Sequence, residues 1–444
     1  MKIPQVLLVE VKHAPGQLSK MLASVAEIGL TVEGLESISR TQDRTTWELS
    51  LDVDQGQEQE VLDAIGRSGD ARVLGNSDRV FDRHKGGKID VRSTVQFDDL
   101  KTLRDVYTPG VARVCLAIRD NPALASKYTA IPRSVAVVTN GTAILGLGDI
   151  GPVAGMPVME GKAALFREFG GISGVPILTE ARTPDEIVAL VKGIAPTFGA
   201  IQLEDIAAPE CFEIESRLID ELDIPVLHDD QHGTAVVVLA ALLGGARLAG
   251  FDLKESTVGQ IGLGAAGIGI SRLLLRYGVR GVMGADLSED SLRQLERSGG
   301  TRSTLEDVMR EADIVVATTG VPGLIKPEMI RKGQIIFALS NPEAEIEPAV
   351  ALERGARFAA DGKNINNVLA FPGLFKGALD AGVRKFTDEM LLAAAQAIAD
   401  TAAKADDGTL VPSPLSRAAH GRVAAYVAKA AAKGGTVVSH AMLS

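Results

Sequence analysis

Cysteine is nearly absent: Cys115 and Cys211 are the only two in 444 residues. A disulfide framework is not indicated, and a reducing compartment, the cytoplasm, is the expected setting. Positive charge is also in short supply, with 46 Lys and Arg against 57 Asp and Glu and a net charge of −11. That balance argues against nucleic acid as a partner. The opening "MKIPQVLLVEVK" places charges within a few positions and has no apolar signal-peptide core. A membrane span is missing too. The longest apolar run, after Gly233, is broken by Gly244, Gly245 and Arg247, and reads as a buried helix. What remains is the profile of a soluble globular enzyme, 46% hydrophobic and 23% charged. At this length two or three domains are expected.

Residues 4–77 form the first module. Thr45 to Val53 alternates, with Trp47, Leu49, Leu51 and Val53 on one face and Thr46, Glu48, Ser50 and Asp52 on the other, the pattern of a strand with one wet face. Leu18, Met21, Leu22 and Val25 follow helical spacing after the turn "HAPGQ". With "VLLVEV", "TVEGLESIS", a helix near Glu58 to Ile65 and a strand near Val73, the order is β-α-β-β-α-β, which is ferredoxin-like. This layout and "APGQLSKMLASVAEIGLTVEGL" resemble ACT domains, small regulatory modules that often bind amino acids at a paired interface. Read without that resemblance, Pro15 and Gly16 are a turn before a helix. "GNSDRVFDRHKGG" reads as a linker.

The last third carries "STVGQIGLGAAGIGISRLLLRYG": a strand, then Gly262, Gly264 and Gly267 in GxGxxG spacing with Ala265 and Ala266 between, then an apolar-periodic helix. A lone GxGxxG is weak evidence, but strand before and helix after are the context it requires. Such glycines permit a tight turn, close approach of a pyrophosphate, and close helix–strand packing. The helix start then offers unpaired amides to the phosphates. Asp286 ends the next strand, "GVMGAD", at the offset of an acid that binds ribose hydroxyls and repels the 2′-phosphate of NADP. NAD is therefore expected over NADP, against the plainer reading of Asp286 as a surface-loop acid.

"VLHDDQHGTAVVVLAALL" sets Asp229 and Asp230 between His228 and His232 at the start of the apolar run. Taken alone, the two acids are helix capping. A second acid pair, Glu204 and Asp205, follows the apolar stretch Ala200 to Leu203, a buried strand by composition. Ligands of open α/β sheets gather at strand carboxyl ends. Neighbouring strand residues point opposite ways, so both acids reach one ion only if the strand finishes there. Two converging acid pairs repel unless a cation lies between them, and hard oxygen donors select Mg²⁺ or Mn²⁺. The histidines make zinc or iron conceivable, but their spacing is no zinc pattern. They read as supporting or structural residues.

From about His84 onward the chain resembles malic enzymes of the short bacterial type. The resemblance rests on ordered blocks: "HKGGKI", "VYTPGVARVC", "NGTAILGLGDIG", "MEGKAALF", "IQLED", "HDDQHGTA", "GLGAAGIG", "LSNP" and "NINNVLAFPG". It implies Glu204, Asp205 and Asp230 as metal ligands with Asp229 as their neighbour, Tyr107 as proton donor, and Lys162 as base. It further implies Asn341, Asn366 and Asn367 at the malate, with Asn341 also at the cofactor. Each has a plain alternative: Tyr107 as an aromatic at a turn, Lys162 as a solvated side chain at a helix start, the asparagines as loop residues. A base beside a metal is expected to have a lowered pKa. One departure stands out. Larger malic enzymes carry an arginine that grips a substrate carboxylate where this chain has Ala143.

The expected architecture is α/β throughout. A ferredoxin-like, ACT-like module spans 1–77 and a substrate and metal domain 78–228. A Rossmann-type NAD-binding domain follows at 229–366, then alanine-rich helices at 367–444 that return to the substrate domain. The resemblance implies oxidative decarboxylation of (S)-malate by a homodimer or higher homo-oligomer, with an amino-acid effector at the first module. Two rivals stay open: another NAD-linked 2-hydroxy-acid dehydrogenase, and a non-catalytic amino-acid-sensing scaffold.

Overall fold

The computed structural model describes residues 2–54, 56–76, 79–340, 343–363, 365–405 and 409–434. Two compact units divide at Lys88: Met1–Lys88 and Ile89–Ser444.

In the first unit, strands β1 (Lys2–Lys12), β2 (Val32–Arg40), β3 (Arg44–Asp54) and β4 (Ala71–Asn76) form an antiparallel sheet in the order β2-β3-β1-β4. With helices Gln17–Ala26 and Glu58–Arg67 this is the ferredoxin-like order. The helical stripe Met21 and Val25 packs with Leu49, Leu51 and Val53 of β3. The opposite face of β3 is less wet than its alternation implies, since Glu48 there is also buried. Within the expected linker, Arg79–His84 is a short helix.

The second unit holds two parallel sheets. Strands β5 (Ser134–Thr139), β6 (Ser173–Leu178), β7 (Ala200–Leu203) and β8 (Val226–His228) run in the order β6-β5-β7-β8. Both β5 and β7 are buried along their whole length; Val135 to Val138 of β5 is an unbroken apolar run, while β7 also buries the polar Gln202. The second sheet, six-stranded, is built from β9 (Thr257–Ile261), β10 (Gly281–Ala285), β11 (Thr301–Arg302), β12 (Ile314–Ala317), β13 (Ile335–Ala338) and β14 (Phe358–Asp361), ordered β11-β10-β9-β12-β13-β14. The reversal of strand order between β9 and β12 makes the crevice where such sheets bind ligands.

One helix joins the two sheets. Asp229–Ala249 starts directly at the end of β8 and continues through Gly244 and Gly245 without a break. By length and apolar composition it passes as a membrane span, but most of it is buried in the core that both sheets share. It crosses helix Ala265–Tyr277 so closely that a Cβ on Gly269 would stand 2.4 Å from the Gln231 carbonyl oxygen. Helix Phe371–Ala381 packs on the segment before β6: Phe371 and Phe375 stand edge-on to Phe166, with centroids 4.9 and 5.3 Å away.

The Gly269 crossing ties the site-bearing helix to the cofactor domain. Gly269→Ala should destabilise the protein by about 1–3 kcal/mol, read as a lowered midpoint of thermal unfolding. An unchanged midpoint would contradict the close crossing.

Candidate active site

The end of β7 settles how two adjacent acids share one side. The strand stops at Leu203, the Glu204 amide still donates to the Val138 carbonyl, and Asp205 then takes a left-handed backbone, φ 52°. That conformation costs on the order of 1–3 kcal/mol for a residue with a side chain. It is held from both ends. The Asp205 carbonyl accepts from the Ala143 amide at 3.0 Å, and its own amide donates to Asp230 Oδ2 at 2.9 Å. Thr142 braces the same turn, accepting from the Ala207 amide. Glu204, Asp205 and Asp230 thereby offer oxygens that all lie within 4.8 Å of one another.

Neither acid of the "HDDQH" turn is a simple helix cap. Asp230 receives the Asp205 amide, and Asp229, fully buried, receives Lys162 Nζ at 2.5 Å. Asp229 lies back over its own helix, where a Cβ on Gly233 would meet its Oδ1 at 1.8 Å. Glycine at 233 is what leaves room for it.

Lys162 occupies the last turn of helix Pro152–Leu165, not a helix start, so its charge agrees with the macrodipole. It is buried, 2.9 Å from Glu204 and 4.6 Å above the Phe371 ring. Burial opposes its charge, but Asp229 and Glu204 outweigh burial and push its pKa up. The lowered pKa expected of a base is therefore not that of the cation-free site. Burial and its acidic neighbours push the carboxyls the same way: Glu204 rises well above the usual range despite Lys162, and Asp205 goes up to about 7.

These residues fit a divalent cation. The donors are hard oxygens, and Asp205 Oδ2 is buried with no hydrogen-bond partner among the described residues. Glu215 supports the turn from below. It accepts from the His228 amide at 2.6 Å, from Gln231 Nε2 at 3.1 Å, and pairs with His232 Nε2 at 3.0 Å. Burial works against the Glu215 charge, but His232 and His228 hold its pKa below the ordinary value. Burial likewise works against charge on His232, and Glu215 raises its pKa. Glu215 escaped the sequence reading, although "CFEIESRL" gave a signal: it shares the buried stripe of Cys211, Ile214 and Leu218.

The glycine turn fits a dinucleotide. Gly262 has φ 86°, a Cβ on Gly267 would lie 1.9 Å from the Gly262 carbonyl oxygen, and a Cβ on Gly264 would meet nothing within 4 Å. Open space thus faces the start of helix Ala265–Tyr277, where phosphate would rest. Asp286 accepts from the Leu263 amide at 2.6 Å and the Ser288 amide at 2.8 Å, which fixes it beside that turn. A cavity of about 300 Å³ is lined by Ala266, Thr318, Ser340, Asn366 and Asn367, and by Thr234 of the Asp230 helix. Glu345, fully buried and also missed in the sequence, ties the loops after β12 and β13 by accepting from Thr319 and Ser340. Asn341 lies outside the described residues. Tyr107 is not brought to the cluster: it follows helix Leu100–Val106, is 66% exposed, and its side chain has no partner among the described residues.

A dinucleotide cradle and a three-carboxylate cation site joined by one helix, with a buried lysine between acids, define a metal-dependent, nicotinamide-linked oxidoreductase. Comparison with known proteins gives the family. Residues 87–184 and 178–219 match the malic enzyme N-terminal domain, and residues 231–299 and 359–432 match the malic enzyme NAD binding domain. The chain belongs to the malic enzyme family. It is 51% identical to NAD-dependent malic enzyme 1 of Bacillus subtilis, over 96% of this chain and 97% of that one. The NAD-dependent malic enzyme of Geobacillus stearothermophilus is 42% identical over 94% and 92%. Among solved structures, a malic enzyme from Pyrococcus horikoshii is 40% identical, with a TM-score of 0.77 over 81% of this chain and 91% of that one.

The raised Asp205 pKa has a thermal signature. Between its ordinary value of 3.8 and about 7, the folded chain keeps a proton that the unfolded chain has released. The folded state therefore loses stability as pH rises through that window, and loses nothing from this group below it. From about pH 4 to about pH 7, the metal-free protein should fall in melting temperature more steeply than Asp205→Asn, with Mg²⁺ or Mn²⁺ restoring the loss. Parallel profiles for the two proteins would contradict the clustering.

Proposed function

We propose that this protein catalyses oxidative decarboxylation of (S)-malate to pyruvate and carbon dioxide with reduction of NAD. The observation that carries this reading is the convergence of Glu204, Asp205 and Asp230 beside the buried Lys162. When bound there, Mg²⁺ or Mn²⁺ supplies the positive charge that acidifies the malate 2-hydroxyl and takes up enolate charge, while NAD accepts the hydride from carbon 2. Glu204, Asp205 and Asp230 hold the ion. Lys162 takes the hydroxyl proton, and a cation held by the neighbouring acids would offset the negative charge by which Asp229 and Glu204 raise its pKa. Phe371 covers the lysine and keeps water off it. Asn366 and Asn367, and Asn341 by family resemblance, orient malate. With Ala143 in place of the arginine clamp, the asparagines and backbone amides take the substrate carboxylate.

Tyr107 delivers the proton to carbon 3, and a second copy of the chain brings it there. Helices Leu100–Val106 and Val111–Asp120 bury no residue, and Leu100, Leu103 and Leu116 are exposed beside Tyr107. Such a face suits the interface of a symmetric homodimer. The domain division is 1–77, 78–228, 229–366 and 367–444, with the first an ACT-like module for an amino-acid effector. Its ferredoxin-like strand order supports that assignment. The cytoplasm is the compartment, consistent with two unpaired cysteines.

Lys162→Ala should lower malate oxidation by on the order of 10²–10⁴-fold, measured as NADH formation beside carbon dioxide release. Co-expressed Lys162→Ala and Tyr107→Phe chains should recover about a quarter of wild-type activity, since half the dimers are mixed and carry one intact site. No recovery would place Tyr107 in its own chain's site, and an active Tyr107→Phe chain alone would place it outside catalysis. Asp286→Asn keeps the acceptor for the Leu263 amide but removes the charge, and should shift preference toward NADP on the order of tenfold. An unchanged NAD to NADP ratio of kcat/KM would remove Asp286 from cofactor choice.

A further inference from the structure

We propose that Glu215 is a positioning residue for the metal site, fixing the turn that presents Asp229 and Asp230. This rests on the reading that Glu204, Asp205 and Asp230 hold a cation. β8 is only three residues long and lies at the edge of its sheet, with β7 on one side and no strand on the other. The amide of His228, the last residue of β8, therefore lacks a strand partner. Glu215 Oε1 supplies one at 2.6 Å. Its other oxygen holds Gln231 Nε2 at 3.1 Å and His232 Nε2 at 3.0 Å, both in the first turn of the following helix. The two oxygens of one buried carboxylate thus bracket Asp229–Asp230, fixing the strand end before them and the helix turn after them.

Burying a charge in helix Glu210–Glu221, on a stripe otherwise made of Cys211, Ile214 and Leu218, is a poor way to stabilise a helix. An apolar residue would fill that stripe without desolvation cost. The charge has a use at its other end, where it meets three donors from a single turn. Since Asp230 Oδ2 also takes the Asp205 amide, the placement of Asp230 sets the spacing of all three cation-binding acids. Glu215 belongs neither to the three clustered acids nor to the lining of the cavity beside Ala266.

The test uses the full-length protein and two variants, Glu215→Gln and Glu215→Ala. Mn²⁺ binding is measured directly by calorimetric titration, NADH binding by fluorescence, and activity over a range of Mn²⁺. Glu215→Gln should weaken Mn²⁺ binding on the order of tenfold, as loss of outer partners does at metal sites. NADH affinity should stay within about twofold, and kcat should recover at saturating Mn²⁺ while the Mn²⁺ requirement stays raised. If the alanine chain does not fold, the isosteric glutamine decides the matter. Unchanged Mn²⁺ affinity in Glu215→Gln would overturn the proposal, as would Mn²⁺ and NADH affinities falling together. Failure of the unaltered protein to bind Mn²⁺ would overturn the metal reading itself, and this proposal with it.

Discussion

Mutual repulsion among clustered acids, with Glu204, Asp205 and Asp229 buried and Asp230 partly exposed, is the constraint on which the rest of the second unit depends. Glu204, Asp205 and Asp230 bring ligand oxygens within 4.8 Å, and Asp229 lies beside them with no solvent exposure. Water cannot screen charges at this depth as it does on a surface. One cation, Lys162, is present among them, and it engages Glu204 and Asp229, leaving Asp205 Oδ2 without a partner. The backbone accepts a left-handed residue at Asp205 to maintain this arrangement. A fold that merely needed stability would not assemble it.

The same helix that carries Asp230 links this cluster to the cofactor domain. Its first turn faces the acids, and Thr234, Val237 and Val238, one to two turns on, line the cavity beside Ala266 and Asn366. Helix geometry therefore bears on the separation between the acid cluster and this cavity. At Gly269 and Gly233 a side chain would break that geometry, at one by pushing the neighbouring helix away and at the other by displacing Asp229.

Much of this was legible in the sequence because it follows period and position. The alternation in β3, the apolar run of β5, and the glycine spacing at 262, 264 and 267 each state their structure directly. The acid pairs were legible as a site because they fall at strand ends. Less was visible where tertiary context decides. Lys162 looked like the start of a helix because Gly161 precedes it, but the helix begins at Pro152 and nearly ends there. Its raised pKa depends on Asp229, 67 residues away, which no local pattern reveals. Glu345 looks like an ordinary surface acid until the donors around it are known, and the stripe that marks Glu215 as buried does not show which donors it meets. Tyr107 is the reverse case: its motif marks it for chemistry, while the single chain leaves it exposed.

Anomalous diffraction from a crystal grown with Mn²⁺ tests the central claim most directly. The account predicts one strong peak with oxygens of Glu204, Asp205 and Asp230 each at about 2 Å. A map with no peak between these carboxylates, or one in which Asp230 turns away from the other two, would contradict it.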